Sequence, residues 1–225
     1  MAGSVGNITT GIIKNELVFN MDAANRASTI PSTSTTTTFN TIDASQTGSL
    51  QTTGMFSTDN KGVFVCGGVD TGIALNSTSN LGTVNTVGIW VKRNNPTDNG
   101  KALFGNNANH WQPAMYIGST TSFVVSLSKW VKPTFYSTNW SNTTDWFYIT
   151  ITRNGDSANL YKNGAFVDDL TGLGSGETKF DSIGFQSADN SDYYNGKIGP
   201  VHMYNRILSN SEILHYYNAL KSRFE

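Results

Sequence analysis

The C-terminal segment Asn195–Phe224 combines an apolar strand with one amphipathic helix, in a chain whose other segments have the pattern of β-strands. Ser209 is a preferred helix N-cap residue, and Glu212 follows it at the spacing of a capping box. Leu208 and Ile213 have the spacing of a hydrophobic staple across that cap. We predict a helix over about residues 209–223, which must pack on the β-structure because a helix of that length is marginal alone. The predicted apolar face comprises Ile213, Leu214, Tyr217, Leu220 and Phe224.

The segments before this helix predict an antiparallel sandwich of two sheets. Asn163-Gly164, between two alternating segments, is a preferred type I′ turn dipeptide because both positions need positive φ. Val84–Lys92 is rich in bulky apolar residues and predicts a central strand with both faces covered. Further strands recur at roughly ten-residue spacing with Gly and Asn turns between them, which is typical of a sandwich. These predicted strands are Glu16–Asp22, Phe56–Cys66, Thr71–Leu75, Lys101–Gly105, Ala114–Gly118, Ser122–Leu127, Pro133–Tyr136 and Asp181–Gln186.

A length of 225 residues suits one large β domain. Residues 1–14 are mostly small and polar and predict an N-terminal arm, followed by a single domain over residues 15–225 that includes the helix. The Ser/Thr-rich run Thr29–Thr38 predicts a long exposed loop. The N-terminus has no basic stretch followed by an apolar run, so we predict no secretory signal, and no window has the length of a transmembrane span.

The low charge of the chain argues against two classes of electrostatic partner. Charged residues make up 14% of the chain and the net charge is −1, whereas an average protein has about 25% charged residues. We therefore expect no nucleic-acid partner and no electrostatic capture by an anionic membrane surface, because both rely on a basic surface. We also expect no membrane insertion, because no window is long and apolar enough. Cys66 is the only cysteine, so an internal disulfide is impossible, and its apolar neighbours predict a buried thiol.

Four segments together resemble laminin-G-like, concanavalin-A-like jelly-roll domains. Gly11–Asn25 is similar to the opening strand of that family, and Thr86–Asn94 and Trp146–Val167 resemble its core strands. The ending Asn195–Phe224 resembles a final strand "G-x-I-x-x-V-x-x-Y-N-R-x-L-S" followed by "E-I-x-x-x-Y-N-A". The resemblance spans nearly the whole chain and implies an all-β, two-sheet antiparallel jelly-roll sandwich with one C-terminal helix. The "YNR-x-LS-x-x-E-I" variant of the ending is similar to domains in structural proteins of tailed bacteriophages.

Glycoside hydrolases occur among concanavalin-A-like folds and place two glutamates on one strand. Retaining hydrolysis needs two carboxyl groups about 5 Å apart. The glutamates here are Glu16, Glu177, Glu212 and Glu225, and no two are near in sequence. Glu177 and Asp181 have i, i+4 spacing but straddle a Gly-rich segment. We therefore predict that the protein is not an enzyme.

Two acidic clusters are candidate calcium sites. Many laminin-G-like domains hold one Ca²⁺ at the rim with loop carboxylates and carbonyl oxygens. The matching residues here are Asp168 and Asp169, which end the hairpin, and Asp189 and Asp192, before the last strand. The alternative is that these side chains cap turns by hydrogen bonding to the backbone, and neither cluster has the spacing of a defined calcium loop. Ca²⁺ is therefore a candidate cofactor, and none is required.

Sugar binding would use exposed aromatic side chains that stack on pyranose rings, next to Asn and Asp side chains that bind the hydroxyl groups. Aromatic residues in polar segments fit that description, and packing beneath a loop is the alternative for each. The candidate glycan-binding residues are His110, Trp111, Trp130, Trp140, Tyr193 and Tyr194. Trp90 and Trp146 lie in apolar strands and are predicted to be core. His202 and His215 are predicted to be structural, because the histidines lack the spacing of a zinc site.

The resemblance implies a non-enzymatic virion protein of a tailed phage, a capsid decoration or fibre module displayed on the particle surface. Its partners would be other virion proteins, with host-surface glycans as further partners. Such appendage proteins are commonly trimers, so a homo-oligomer is compatible with this role. The alternative is a carbohydrate-binding adhesin, a lectin-like head assisted by calcium, in an extracellular or cell-surface location. The two hypotheses overlap, since a displayed head could also bind sugar.

Overall fold

The computed structural model describes residues 11–107, 115–125, 133–136 and 143–225. Within these ranges the chain forms β-strands, one α-helix and short 3₁₀ turns at Asp59–Lys61 and Lys221–Arg223. The strands and the helix are β1 (Leu17–Met21), β2 (Thr37–Phe39), β3 (Thr47–Leu50), β4 (Phe56–Ser57), β5 (Val63–Gly67), β6 (Ile73–Asn80), β7 (Val84–Arg93), β8 (Lys101–Gly105), β9 (Met115–Ser119), β10 (Ser122–Val125), β11 (Thr134–Tyr136), β12 (Trp146–Asn154), β13 (Ser157–Lys162), β14 (Ala165–Thr171), β15 (Lys179–Ile183), β16 (Asn195–Tyr204) and α1 (Asn210–Leu220).

Two antiparallel sheets form the sandwich. Sheet A has the strand order β14-β13-β12-β7-β16-β5-β4, with β1 also paired to β16. Sheet B has the order β11-β10-β9-β8-β15-β6-β3-β2. The predicted fold class, a two-sheet jelly-roll sandwich with one C-terminal helix, is confirmed.

The central strand β7 shows how the sequence covers both faces of sheet A. Val87, Ile89 and Val91 point into the core between the sheets, because side chains alternate along a strand. Trp90 points to the opposite face and is only 2% exposed, because it lies in a second cluster beneath α1. The prediction of a strand buried on both faces is confirmed.

The helix begins with the predicted capping box. Ser209 Oγ accepts a hydrogen bond from Glu212 N at 3.3 Å, and Glu212 Oε2 accepts one from Ser209 N at 2.8 Å. Its predicted apolar face is wrong at one position: Leu214 is 46% exposed, whereas Tyr216, which we did not predict, is 1% exposed. Ile213 and Tyr216, three residues apart, face sheet A, and Leu214 lies to one side of that contact.

The turn predicted at Asn163-Gly164 is confirmed, with φ angles of 53° and 80°. The long exposed loop predicted over Thr29–Thr38 is wrong at both of its ends. Thr29 and Thr38 are fully buried, form an isolated bridge, and their hydroxyl groups are hydrogen bonded at 2.9 Å. Hydroxyl pairing lets these polar residues be buried without an unsatisfied group.

The described part of the predicted N-terminal arm packs against the domain. Ile12 and Ile13 are partly buried against the cluster beneath α1. Tyr204 Oη donates a hydrogen bond to the Ile13 carbonyl oxygen at 2.8 Å. Gly11 lies so close to the helix that a Cβ there would approach Ala219 Cβ to 2.5 Å. Packing of the chain onto the domain therefore begins by Gly11, and residues 1–10 lie outside the described ranges.

Candidate ligand-binding face

The outer faces of the two sheets differ in how they are covered. On sheet A, α1 and the following 3₁₀ turn bury a cluster of aromatic and aliphatic side chains. The buried members of that cluster are Leu17, Val63, Trp90, Tyr148, Tyr161, Tyr204, Leu208, Ile213, Tyr216 and Phe224. On sheet B, the outer face carries a cleft of about 610 Å³ lined by polar side chains. The candidate site is therefore on sheet B.

Three strands supply the lining residues of this cleft. They are Thr78 and Asn80 of β6, Asn106 and Asn107 after β8, and Lys179 and Asp181 of β15. Phe180, between the last two, is fully buried in the core. Since neighbouring side chains on a strand point to opposite faces, its position directs Lys179 and Asp181 outward.

The Asp181 carboxylate is held in one orientation. Its Oδ2 accepts a hydrogen bond from Asn107 N at 2.7 Å, and its Oδ1 accepts a short hydrogen bond from Ser187 Oγ. Next to it, Asn106 N donates to Gln186 Oε1 at 3.3 Å. These bonds join the end of β8 to the segment after β15, so this wall of the cleft is pre-organised.

The Lys179 ammonium group is paired beside the cleft. Its Nζ lies 2.7 Å from Glu177 Oε2, which also accepts a hydrogen bond from Asn80 Nδ2 at 3.1 Å. Hydrogen bonding from Lys179 lowers the pKa of Glu177 below its usual value. Both partners are well exposed, so the pair adds little to stability. It balances the lysine charge at the edge of the cleft.

Amide, hydroxyl, ammonium and carboxylate groups together can both donate and accept hydrogen bonds. This chemistry suits a ligand that is rich in hydroxyl groups. Asp181 is the one carboxylate among the described lining residues, and both of its oxygens already accept hydrogen bonds. Retaining glycoside hydrolysis needs two carboxyl groups about 5 Å apart, and the described lining supplies one.

The structure separates the predicted glycan-binding residues. His110, Trp111, Trp130 and Trp140 lie outside the described ranges. Tyr193 and Tyr194 are 8% and 1% exposed, so the expectation of exposed stacking rings is wrong for both. Tyr193 stacks on Phe185 with ring centroids 5.6 Å apart, and Tyr194 lies in the core between the sheets.

Asp168 and Asp169, expected to end the hairpin, lie in its second strand β14, which continues to Thr171. Asp168 Oδ2 accepts a hydrogen bond from Tyr136 N at 3.1 Å, and its Oδ1 accepts one from Asp169 N at 3.0 Å. Adjacent side chains on a strand point to opposite faces, so the two carboxylates do not converge on one ion. The observed role of Asp168 is to fasten the neighbouring edges β11 and β14.

Asp189 and Asp192 lie in a tight turn that ends beside β8. Asp189 Oδ1 accepts a hydrogen bond from Ser191 Oγ at 2.5 Å, and Asn190 and Asp192 have positive φ angles of 52°. Partial burial and the nearby Asp189 raise the pKa of Asp192. Across the part of the chain that the structure describes, no group of three or more His, Cys, Asp and Glu residues is placed to hold a metal ion. The Ca²⁺ site stays a prediction.

The predicted placements of the cysteine, of two histidines and of two tryptophans agree with the structure. Cys66 is a buried free thiol whose pKa is raised by burial to about 12. His202 is buried in β16, and His215 is exposed on α1. Trp90 is core, and Trp146 packs against the cluster beneath α1. No helix among the described residues is long and apolar enough to cross a membrane.

The sequence analysis missed the polar cleft residues, because Asn, Thr and Lys on short strands look like any solvated sheet surface. One signal was available at β15, where Lys179 and Asp181 flank a core phenylalanine. That alternation places both on one face. The alternation does not show that Lys179 and Asp181 lie next to residues of β6 and β8, because that depends on strand pairing between distant segments.

A family model described as "Concanavalin A-like lectin/glucanases superfamily" (Laminin_G_3) matches residues 66–214. No curated protein matches the chain. Among solved structures, the chain is similar to the binding domain of Paraclostridial Mosquitocidal Protein 1 (TM-score 0.63, 15% identity) and to the Botulinum Neurotoxin Type G Receptor Binding Domain (TM-score 0.58, 16% identity). Each match covers 91% of this chain, and they cover 52% and 51% of those two chains respectively.

A third similar structure is Domain 4 of AbnA, a GH43 extracellular arabinanase from Geobacillus stearothermophilus, in complex with arabinotriose. Its TM-score is 0.58 at 14% identity, and the match covers 91% of this chain and all of that domain. This chain thus spans about half the length of the two toxin binding domains and the whole length of the arabinanase domain. At these identities the likeness shows the fold. The three structures named are binding domains or, in the third case, a domain with bound sugar.

Proposed function

We propose that this chain, which belongs to the Laminin_G_3 family of the concanavalin A-like lectin/glucanases superfamily, is a non-enzymatic domain that binds carbohydrate in the cleft of sheet B. The observation that carries the proposal is the cleft itself, which is polar and pre-organised by the bonds to Asp181. Arabinotriose bound to the similar arabinanase domain is consistent with sugar as the ligand class. We further propose that the domain acts outside the cell, on surface glycans.

The test is a binding measurement with a cleft variant and a matched control. Thr78 is exposed in the cleft, so Thr78→Arg should fill it without disturbing the core. Thr171 is exposed at the end of β14 on sheet A, so Thr171→Arg makes the same chemical change away from the site. The wild type and both variants are applied to an array of neutral and acidic glycans, and binding is quantified by titration calorimetry.

The proposal expects saccharide binding by the wild type and by Thr171→Arg, and loss of binding by Thr78→Arg. Equal binding by all three proteins would place the site elsewhere, and no binding by the wild type would remove the proposed function. A chelator should leave the affinity unchanged, because the lining groups are protein side chains. Loss of binding with chelator, restored by Ca²⁺, would favour the predicted rim site at Asp189 and Asp192.

A second candidate function is a structural module on the virion of a tailed phage, a capsid decoration or fibre component. It is favoured by the "YNR-x-LS-x-x-E-I" pattern of Tyr204–Ile213, which resembles phage structural proteins. On this proposal residues 1–10 attach the domain to other virion proteins, so their deletion should weaken docking to the particle. Gold-labelled antibody on purified virus particles tests the location, and absence of label on the particles would rule it out.

A further inference from the structure

The half of sheet B beyond the cleft carries two outward-facing tyrosines. On β9, Tyr116 lies between the core residues Met115 and Ile117, so it points to the outer face. On β11, Tyr136 follows the core residue Phe135 and is 73% exposed. An exposure this large is unusual for an aromatic ring in a strand, because burial of the ring normally contributes to stability.

The two tyrosines lie on strands that are both paired with β10. β10 lies between their strands, with Val124 paired to Tyr116 and Ser122 paired to Tyr136. Two strand spacings separate the tyrosines, about 10 Å across the sheet. Burial raises the pKa of Tyr116, and the charges of Asp192 and Tyr136 add to that increase.

The segment after β15 connects these tyrosines with the cleft. At one end Ser187 Oγ donates to Asp181 in the cleft wall. At the other end Ala102 N of β8 donates to the Asp192 carbonyl oxygen at 2.8 Å, and Ala102 is paired with Tyr116 of β9. Four strand spacings separate β15, which carries part of the cleft, from β11, which carries Tyr136. The cleft and the two tyrosines together therefore extend about 19 Å across the sheet. That length is several times the width of one pyranose ring.

Among the side chains that the structure describes on this face or beside it, carboxylates outnumber ammonium groups. These charged side chains are Lys101, Asp168, Glu177, Lys179, Asp181, Asp189 and Asp192. An acidic polysaccharide would meet this excess of like charge, which opposes association. An uncharged chain meets no such penalty, since its hydroxyl groups can use the amides and carboxylates as partners.

We infer that sheet B binds an extended, uncharged oligosaccharide, with the cleft as one subsite and Tyr116 and Tyr136 as an aromatic subsite. This inference rests on the proposed function, because the cleft must bind sugar for the second subsite to extend it. The aromatic faces contact the apolar faces of sugar rings, and the cleft fixes the hydroxyl groups. Affinity then increases with chain length until both subsites are occupied.

The test measures affinity against chain length by titration calorimetry. The probes are manno-, xylo-, gluco- and arabino-oligosaccharides from the disaccharide to the hexasaccharide, with galacturonate oligomers of the same lengths as charged counterparts. Tyr136→Ala removes the exposed ring. Phe166→Ala is the matched control, because Phe166 is 55% exposed and packs against Tyr161 on the sheet A side. Thermal unfolding of both variants checks that the fold is retained.

We expect at least one neutral series to bind about tenfold more tightly as the hexasaccharide than as the disaccharide, the scale of one aromatic contact. Tyr136→Ala should remove that gain without changing disaccharide affinity, and Phe166→Ala should keep it. Binding without length dependence, or a gain that survives Tyr136→Ala, would overturn the inference and leave the proposed function standing. Equal or tighter binding of galacturonate oligomers would overturn the charge argument. No binding by any oligomer would overturn the proposed function itself.

Discussion

Acidification should destabilise the domain through His202, which is fully buried between sheet A and α1. Its ring stacks on Tyr216 of α1 with centroids 3.7 Å apart, and its Nε2 is hydrogen bonded to Tyr148 Oη. The Tyr204 ring packs edge-on to the imidazole, with ring centroids 5.9 Å apart. These neighbours are uncharged at neutral pH, and burial lowers the pKa of His202 to about 3.

The size of the effect follows from the difference between the folded and unfolded pKa. In the unfolded chain the imidazole has its ordinary pKa of 6.5. Between pH 6.5 and 3 the unfolded state binds the proton and the folded state does not, so stability is lost as the pH falls. Each pH unit contributes about 1.4 kcal/mol, so acidification to about pH 4.5 removes about 2.7 kcal/mol, approaching about 5 kcal/mol near pH 3.

The assay is urea unfolding at about pH 7 and about pH 4.5, for the wild type and for His202→Gln. Glutamine keeps a polar partner for Tyr148 Oη and cannot titrate in this range. Other groups, such as Glu212 with a pKa lowered to about 2 by Arg206, contribute equally to both proteins. The wild type should lose about 2.7 kcal/mol more than the variant on acidification. An equal loss in both proteins would refute the assignment of the pH dependence to His202.

Three further predictions concern packing, and thermal or urea unfolding checks each of them. Gly88→Ala should cost about 1–3 kcal/mol, since its Cβ would overlap the Nε2 atom of the buried histidine, whereas Gly67→Ala, 3.8 Å from its nearest atom, should be nearly neutral. Phe224→Ala should cost about 3–5 kcal/mol, because the ring is 7% exposed and stacks 4.4 Å from a buried tryptophan; a loss no larger than that of Gly67→Ala would contradict this packing. Deletion of residues 1–10 should leave the domain folded, and deletion of residues 1–14 should lower the melting temperature.

Features with local causes could be predicted from the sequence. The Asn163-Gly164 turn and the Ser209–Glu212 capping box depend on backbone rules that act within a few residues, and both occur as predicted. The face of the helix that is buried depends on where the helix contacts sheet A. Leu214 fits the helical spacing as well as Tyr216 does, so periodicity alone could not decide between them.

The candidate site could not be predicted because its residues meet through long-range pairing. Thr78 and Asn107 reach Asp181 only because β15 pairs with both β6 and β8. Tyr194 was predicted to be exposed because the sequence around it is polar, but its ring lies in the core. A single sequence gives the alternation of a strand, but not which neighbours cover its faces.

The central claim, that the outer face of sheet B binds carbohydrate, is tested most directly by mapping bound sugar onto the backbone by NMR. The measurement is amide chemical-shift change in the labelled protein on titration with a neutral hexasaccharide that binds. The account predicts that the largest shifts occur at Thr78, Asn107, Asp181 and Tyr136, while the Asn163-Gly164 hairpin on sheet A is unaffected. Shifts confined to sheet A or to the turn at Asp189, with the cleft amides unchanged, would contradict it.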